Sequence, residues 1–176
     1  AYISRYTLGR DYHKVIRSRL KKLIAMIKEE AQSHQFRAFV DSAPILERAF
    51  AQKSGLGWFG KNTMIINRGA GSWFFLGEIF TNLPLKIDQP YQKEHCGTCT
   101  ACLEVCPTQA FKGPYIVDSR RCISYLTIEL KGSIPIELRS KMGNRTISCD
   151  DCQLVYPWNK FSKPNKEEDF SQRNKL

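Results

Sequence analysis

The chain has 176 residues, a net charge of +10 and seven cysteines, and 42% of its residues are hydrophobic. That is enough apolar material for one or two compact domains. No apolar run approaches the roughly 18 residues that span a bilayer, and no charged leader precedes one, so a cytoplasmic protein with reduced thiols is expected. The positive balance suits a polyanionic partner.

The positive charge gathers early, with Arg5, Arg10, Lys14, Arg17, Arg19, Lys21, Lys22, Lys28 and Arg37 set against Asp11, Glu29 and Glu30. From Asp11 to about Ser33, Ile16, Leu20, Leu23, Ile24 and Ile27 recur at three and four, the period of an amphipathic helix with its basic face outward. QFRAFVD then alternates Phe36, Ala38 and Val40 like a half-buried strand and delivers Asp41 at its end. An acid placed there faces a pocket or caps the next helix. Ser42 is expected to cap a helix with Pro44 in its first turn, running to Ser54.

GLGWFGKN, residues 55–62, lacks the spacing of a Walker loop; its glycines let the backbone approach a flat ligand or a neighbouring strand. Thr63–Asn67 and Ser72–Thr81 read as a β-hairpin closed by RGAG. WFFLGEIF reads as a strand buried on both faces. Asn82–Glu94, with Pro84 and Pro90, is a connector. Helices are expected from Cys122 to about Gly132 and from Pro135 to about Met142.

Between them stands HCGTCTACLEVCP, in which Cys96, Cys99, Cys102 and Cys106 keep the C-x2-C-x2-C-x3-C-P spacing of a bacterial ferredoxin. In that pattern three thiolates hold one 4Fe-4S cluster and the fourth reaches a second. Cys122, Cys149 and Cys152 complete the second with Cys106. A reciprocal motif returns a cysteine four residues after Cys152, ahead of a proline; here that position is Tyr156. The first cluster is thus left with Cys96, Cys99 and Cys102. Its fourth iron takes the Tyr156 phenolate, a carboxylate such as Asp150 or water, or is absent. Structural zinc rarely uses such a run, and disulfides need an oxidising compartment.

Six stretches, SRYTLGRDYHKV, FVDSAPILERAFAQKSGLGWFGKN, NRGAGSWFFLGEIFTNLPL, CGTCTACLEVCPTQAF, YIVDSRRCISYLTIELKGSIP and CDDCQLVYPWNKFS, together resemble the epoxyqueuosine reductase family over nearly the whole chain. The resemblance implies an α+β fold: an α/β cobalamin-binding portion with a β-hairpin over 1–88, a ferredoxin-like two-cluster portion over 89–163, and a polar tail over 164–176. It also implies that the chain is the central part of a longer protein. The family carries cysteine where Tyr156 stands.

The implied reaction removes an epoxide oxygen from a modified base in a tRNA anticodon stem-loop, leaving an alkene and water and using two electrons and two protons. The implied cofactors are cobalamin and two 4Fe-4S clusters, fed by an external electron donor in a monomeric, membrane-free enzyme. Asp41 matches the proton donor. Asn62, Gly77, Ser124 and Asp150 are the expected cobalamin contacts, and Lys131, Arg139, Arg145 and Lys160 the expected phosphate contacts. Two rivals share parts of the pattern. A corrinoid-dependent reductive dehalogenase uses the same cofactors on a small molecule, and a two-cluster electron carrier needs neither Asp41 nor the preceding α/β portion.

Overall fold

The computed structural model describes residues 1–173. Helix α1, Tyr12–Glu30, begins where Asp11 accepts the His13 amide at 3.0 Å. An N-cap of this kind satisfies a backbone donor that no helical carbonyl can reach. Val15 is buried and Ile16, Leu20, Ile24 and Ile27 are half-buried, while Lys14, Arg17, Arg19, Lys21, Lys22 and Lys28 are exposed, as the period requires; Leu23, counted with the apolar stripe, is exposed instead.

The stripe lies against strands β2, Phe36–Phe39, and β5, Glu78–Thr81, which pair antiparallel with Phe39 opposite Glu78. Gly77 sits where they meet. A Cβ there would lie 2.8 Å from Ile16 Cγ2 and 3.2 Å from Leu20 Cδ1. Its missing side chain is what lets strand and helix close.

Three expectations are corrected. Helix α2 spans Glu47–Lys53, with Leu46 rather than Ser42 at its cap; residues 41–44 are bends, as Pro44 disfavours helix in the residue before it. RGAG closes only one bridge, Asn67 to Gly71, and Thr63–Asn67 does not pair with Ser72–Thr81. The hairpin instead joins β3, Trp58–Phe59, to β4, Ile65–Ile66, around the GKN turn. WFFLGEIF is a strand only from Glu78, and it is half-buried rather than enclosed, with α1 on one side.

The cysteine-rich portion holds α3, Ala101–Glu104, the hairpin of β6, Phe111–Gly113, and β7, Ile116–Val117, then α4, Ile123–Ile128, and α5, Ile136–Met142. Strand β8, Arg145–Ile147, and helix α6, Asp151–Leu154, complete it. One buried cluster joins Trp58, Ile66, Cys102 and Tyr156; another joins Ile123, Leu126, Leu138 and Met142.

The two portions are stitched together. Strand β1, Tyr2–Ile3, runs parallel to β8, and Asn159 Oδ1 accepts from the Ser72 amide at 2.7 Å. The tail is bound as well. Asp169 O accepts the Arg10 amide at 2.7 Å, Phe170 packs on Phe75 with ring centroids 5.0 Å apart, and Arg19 pairs with Glu167 at 2.5 Å. Asn174–Leu176 of the tail lie outside the described residues.

Candidate active site and cluster centres

Three thiols line one small, half-open cavity of about 40 Å³: Cys96, Cys99 and Cys102, with Tyr156 and Pro157 facing them. The loop that carries them is pinned by Lys61, whose Nζ donates to Gly97 O at 2.7 Å and Cys99 O at 2.8 Å, and Gly97 takes φ +49° to make the turn. Trp58 packs with Cys96 and Cys102, is wholly buried, and leaves its Nε1–H without an acceptor. A buried donor among thiolates fits a cluster, whose sulfurs are acceptors.

The expected second set draws on three segments of the chain. Cys106 follows α3, and its Sγ accepts the Ala110 amide at 3.3 Å, a bond of the kind that tunes a cluster's potential. Arg121 Nε donates to Thr108 O at 3.0 Å and so ties the approach to Cys122 to the segment after Cys106. Burial pushes the Cys149 thiol up to about 11 and Cys152 up to about 12, with Cys149, Cys122 and Cys102 near enough to add to the shift at Cys152. Buried thiols of this kind are inert until a metal draws off their protons. Cys152 stands between the two sets.

Tyr156 occupies the position where a fourth thiolate for the first cluster is expected, and it is buried. Its hydroxyl donates to Asn62 Oδ1 at 2.9 Å. Burial, and then the neighbouring Cys96 and Cys102, push its pKa above the ordinary phenol value, so the side chain is held as a neutral phenol. Gly60 makes the room: a Cβ there would lie 1.7 Å from the Tyr156 oxygen.

Asp41 lies just past β2 in the left-handed region, φ +51°, with its side chain 55% exposed. It caps no helix. Two neighbours from the first turn of α1 reach its carboxylate: Tyr12 donates its hydroxyl to Oδ2, and His13 Nε2 lies 3.2 Å from the same oxygen. The other ring nitrogen of His13 is 2.9 Å from Asp11 Oδ1. Burial and the bond to Asp41 push Tyr12 above the usual phenol range, so it remains a donor. From Tyr12 a line of contacts leads on, through Tyr6 at a ring distance of 5.8 Å and Ser148, to Ser124, whose Oγ is 3.0 Å from Ser148 Oγ and which lies two residues beyond Cys122. Asp41 is thus joined by a run of contacts to the helix that follows Cys122.

The other expected contacts are engaged within the protein. Asn62 is buried and bonds Tyr156, the Met64 amide and Cys152 O. Gly77 faces α1. Asp150 is 2% exposed and accepts from the Tyr2 hydroxyl at 2.9 Å, the Arg5 amide at 2.8 Å and the Ser4 hydroxyl. Of the expected phosphate contacts, Arg145 pairs with Asp151 at 2.5 Å and Arg139 Nε donates to Ile134 O, while Lys131 is exposed and Lys160 rests on Phe161. The outward basic face of α1 expected from the sequence lines an open groove beside Asp41, where Lys14, Arg17 and Lys21 meet Asp11, His13 and Ser42.

Asp150→Ala strands three donors, two of them buried or nearly so, and is expected to cost about 3 kcal/mol of stability. Denaturant unfolding of the cluster-loaded protein checks this. A loss below about 0.5 kcal/mol, the range of ordinary surface changes, contradicts it.

Comparison with known proteins agrees with this layout. Residues 95–159 match the family described as 4Fe-4S double cluster binding domain, and residues 1–42 match Epoxyqueuosine reductase QueG, DUF1730. The chain is 60% identical over 176 residues to the epoxyqueuosine reductase of Pseudomonas aeruginosa, covering 100% of this chain and 49% of that protein. It is 62% identical over 175 residues to that of Escherichia coli, covering 99% of this chain and 46% of that one. The chain thus spans about half the length of these relatives.

Among solved structures, an epoxyqueuosine reductase with an epoxyqueuosine-modified tRNA-Tyr stem loop superposes with a TM-score of 0.91 at 37% identity, over 97% of this chain and 45% of that one. The Bacillus subtilis enzyme, with an aspartate-bearing catalytic loop swung out of the active site, gives 0.84 at 37%, over 98% of this chain and 43% of that one.

Proposed function

The chain belongs to the epoxyqueuosine reductase family, and from that premise we propose that it is the central part of a cytoplasmic, monomeric enzyme that reduces epoxyqueuosine to queuosine in tRNA. Cobalamin and two iron-sulfur clusters, fed by an external donor, supply the two electrons when bound. The residues of this chain handle the protons and the substrate. The observation that carries the reading is the exposed Asp41 carboxylate, wired to Tyr12 and His13 and joined by contacts to the helix that follows Cys122.

Both nitrogens of His13 face carboxylate oxygens. A neutral imidazole has a single N–H, so the second contact needs one more proton, on the ring or on Asp41. Moving that proton between Nε2 and Oδ2 interconverts the two forms and leaves the Asp11 contact in place. Asp41 gives its proton to the epoxide oxygen as the ring opens. The carboxylate left behind keeps the Tyr12 hydrogen bond and takes a fresh proton from His13. A second proton then releases water, so two electrons and two protons are consumed. The B. subtilis structure, with its aspartate-bearing catalytic loop swung out of the active site, supports an aspartate in this role.

At the first cluster, the neutral Tyr156 phenol bonded to Asn62 supplies no thiolate. We assign three cysteines to that cluster and leave one iron without a sulfur ligand from the protein.

The test of the function is anaerobic incubation of the full-length, reconstituted protein with epoxyqueuosine-bearing tRNA, followed by mass spectrometry of the nucleosides. Loss of one oxygen from the modified base is the expected result; an unaltered nucleoside with both clusters loaded refutes it. A small halogenated substrate losing halide instead favours the dehalogenase reading. The tRNA backbone is assigned to the groove of Lys14, Arg17 and Lys21. Replacing all three by alanine is expected to lower the slope of log affinity against log salt by about 2. An unchanged slope removes the groove from binding.

A further inference from the structure

Asp41 is not a glycine, yet it sits at φ +51°. Such a conformation costs an L-residue about 1 kcal/mol or more and persists only where its surroundings impose it. The Asp41 amide is held by one of two glutamates that the reaction scheme above does not use. Glu47, the first residue of α2, accepts the Asp41 amide at 2.6 Å. Glu78, the first residue of β5, is placed beneath the same loop by its register opposite Phe39, within hydrogen-bonding reach of the Glu47 carboxyl. Its Oε2 is buried without a partner.

Two carboxyl groups in contact cannot both be ionised cheaply; they share one proton. We propose that Glu47 and Glu78 form a one-proton carboxyl pair that positions Asp41, Glu78 holding Glu47 in place and Glu47 holding the Asp41 amide so that the acid faces the substrate. This rests on the reading of Asp41 as the proton donor. Glu78 touches neither substrate nor cofactor and acts only through Glu47.

Burial first, then Glu47 and Asp41, push Glu78 up to about 7. The charged groups facing it are Glu47 from α2 and Asp41 from the loop. Tyr12 and His13 of α1 lie beyond Asp41, and α1 offers only Ile16 and Leu20 to the adjacent Gly77. A group with a raised folded-state pKa contributes stability that is whole below its unfolded value and fades as pH rises through the folded one. The brace on Asp41 therefore weakens from weakly acidic to neutral pH and is lost above about 7.

The test compares wild type, Glu78→Gln and Glu78→Ala in the full-length, reconstituted enzyme. Glutamine still donates to Glu47 but does not titrate, so it is expected to flatten the alkaline fall of kcat. Alanine leaves Glu47 unsupported and is expected to lower kcat about tenfold or more at every pH, with KM for tRNA and iron content held. A Glu78→Gln profile that superposes on wild type overturns the proposal. A second readout is independent of turnover: infrared difference spectra should show a neutral-carboxyl band, titrating near pH 7 and missing from Glu78→Gln. That band without any tRNA reduction supports the pair and refutes the reductase reading; reduction that depends on Asp41, without the band, refutes the pair alone.

Discussion

Asp41→Asn is expected to lower turnover of the full-length enzyme by about 10²–10⁴, the usual contribution of a general acid, while tRNA affinity and iron content hold. Asparagine suits the test because it tolerates the left-handed backbone that Asp41 adopts and still meets the Tyr12 hydroxyl with a carbonyl oxygen. It differs in one respect: it has no proton to give and none to take from His13. The Tyr12, His13 and Glu47 contacts keep the loop in place, so a loss of turnover reads as lost proton transfer. Turnover within about twofold of wild type would mean that the proton reaches the epoxide from elsewhere.

Tyr156→Cys is expected to change the first cluster rather than the fold. With three thiolates, that cluster binds its fourth iron only weakly, so anaerobic protein treated with ferricyanide should give up one Fe²⁺ per chain and show the EPR signal of an oxidised three-iron cluster. The iron content then stands at about seven per chain, against about eight in the variant, where the signal is absent. The gain has an opposing term. Tyr156 packs with Trp58 and Ile66 and bonds Asn62, so cysteine leaves a cavity and strips one partner from a buried amide. The cluster-free variant should be less stable by about 2–4 kcal/mol. Equal iron and no three-iron signal in either protein would mean that the Tyr156 oxygen, or another ligand, closes the cluster.

What could be read in the sequence was what local chemistry dictates. Helix α1 follows from its apolar period and its Asp11 cap, α5 from Pro135 and Gly143 at its ends, and the thiol sets from spacing alone. The strand that delivers Asp41 was equally plain. Partners distant in sequence were not. Nothing in WFFLGEIF says that β5 pairs with β2 rather than with the segment across RGAG, because an apolar run suits either neighbour. The start of α2 moved because Pro44 and the bends around it outweighed the capping residue Ser42.

The same limit applies to the site. Asp41 could be singled out, but Tyr12 and His13 read as the first turn of a helix, Glu47 as part of the next helix and Glu78 as one residue of an apolar strand. Only the fold brings these five together. Asn62 and Asp150 likewise have partners that no motif announces: one holds Tyr156 and Cys152, and the other gathers Tyr2, Ser4 and Arg5.

Seven cysteines spaced in two sets like those of a two-cluster ferredoxin make sense only if the sulfurs hold iron. Iron, zinc and acid-labile sulfide analysis of the anaerobically reconstituted, full-length protein tests that most directly. About seven to eight irons with matching sulfide per chain are expected, together with EPR signals from two interacting centres on reduction. A colourless protein with zinc or disulfides on these cysteines would contradict it.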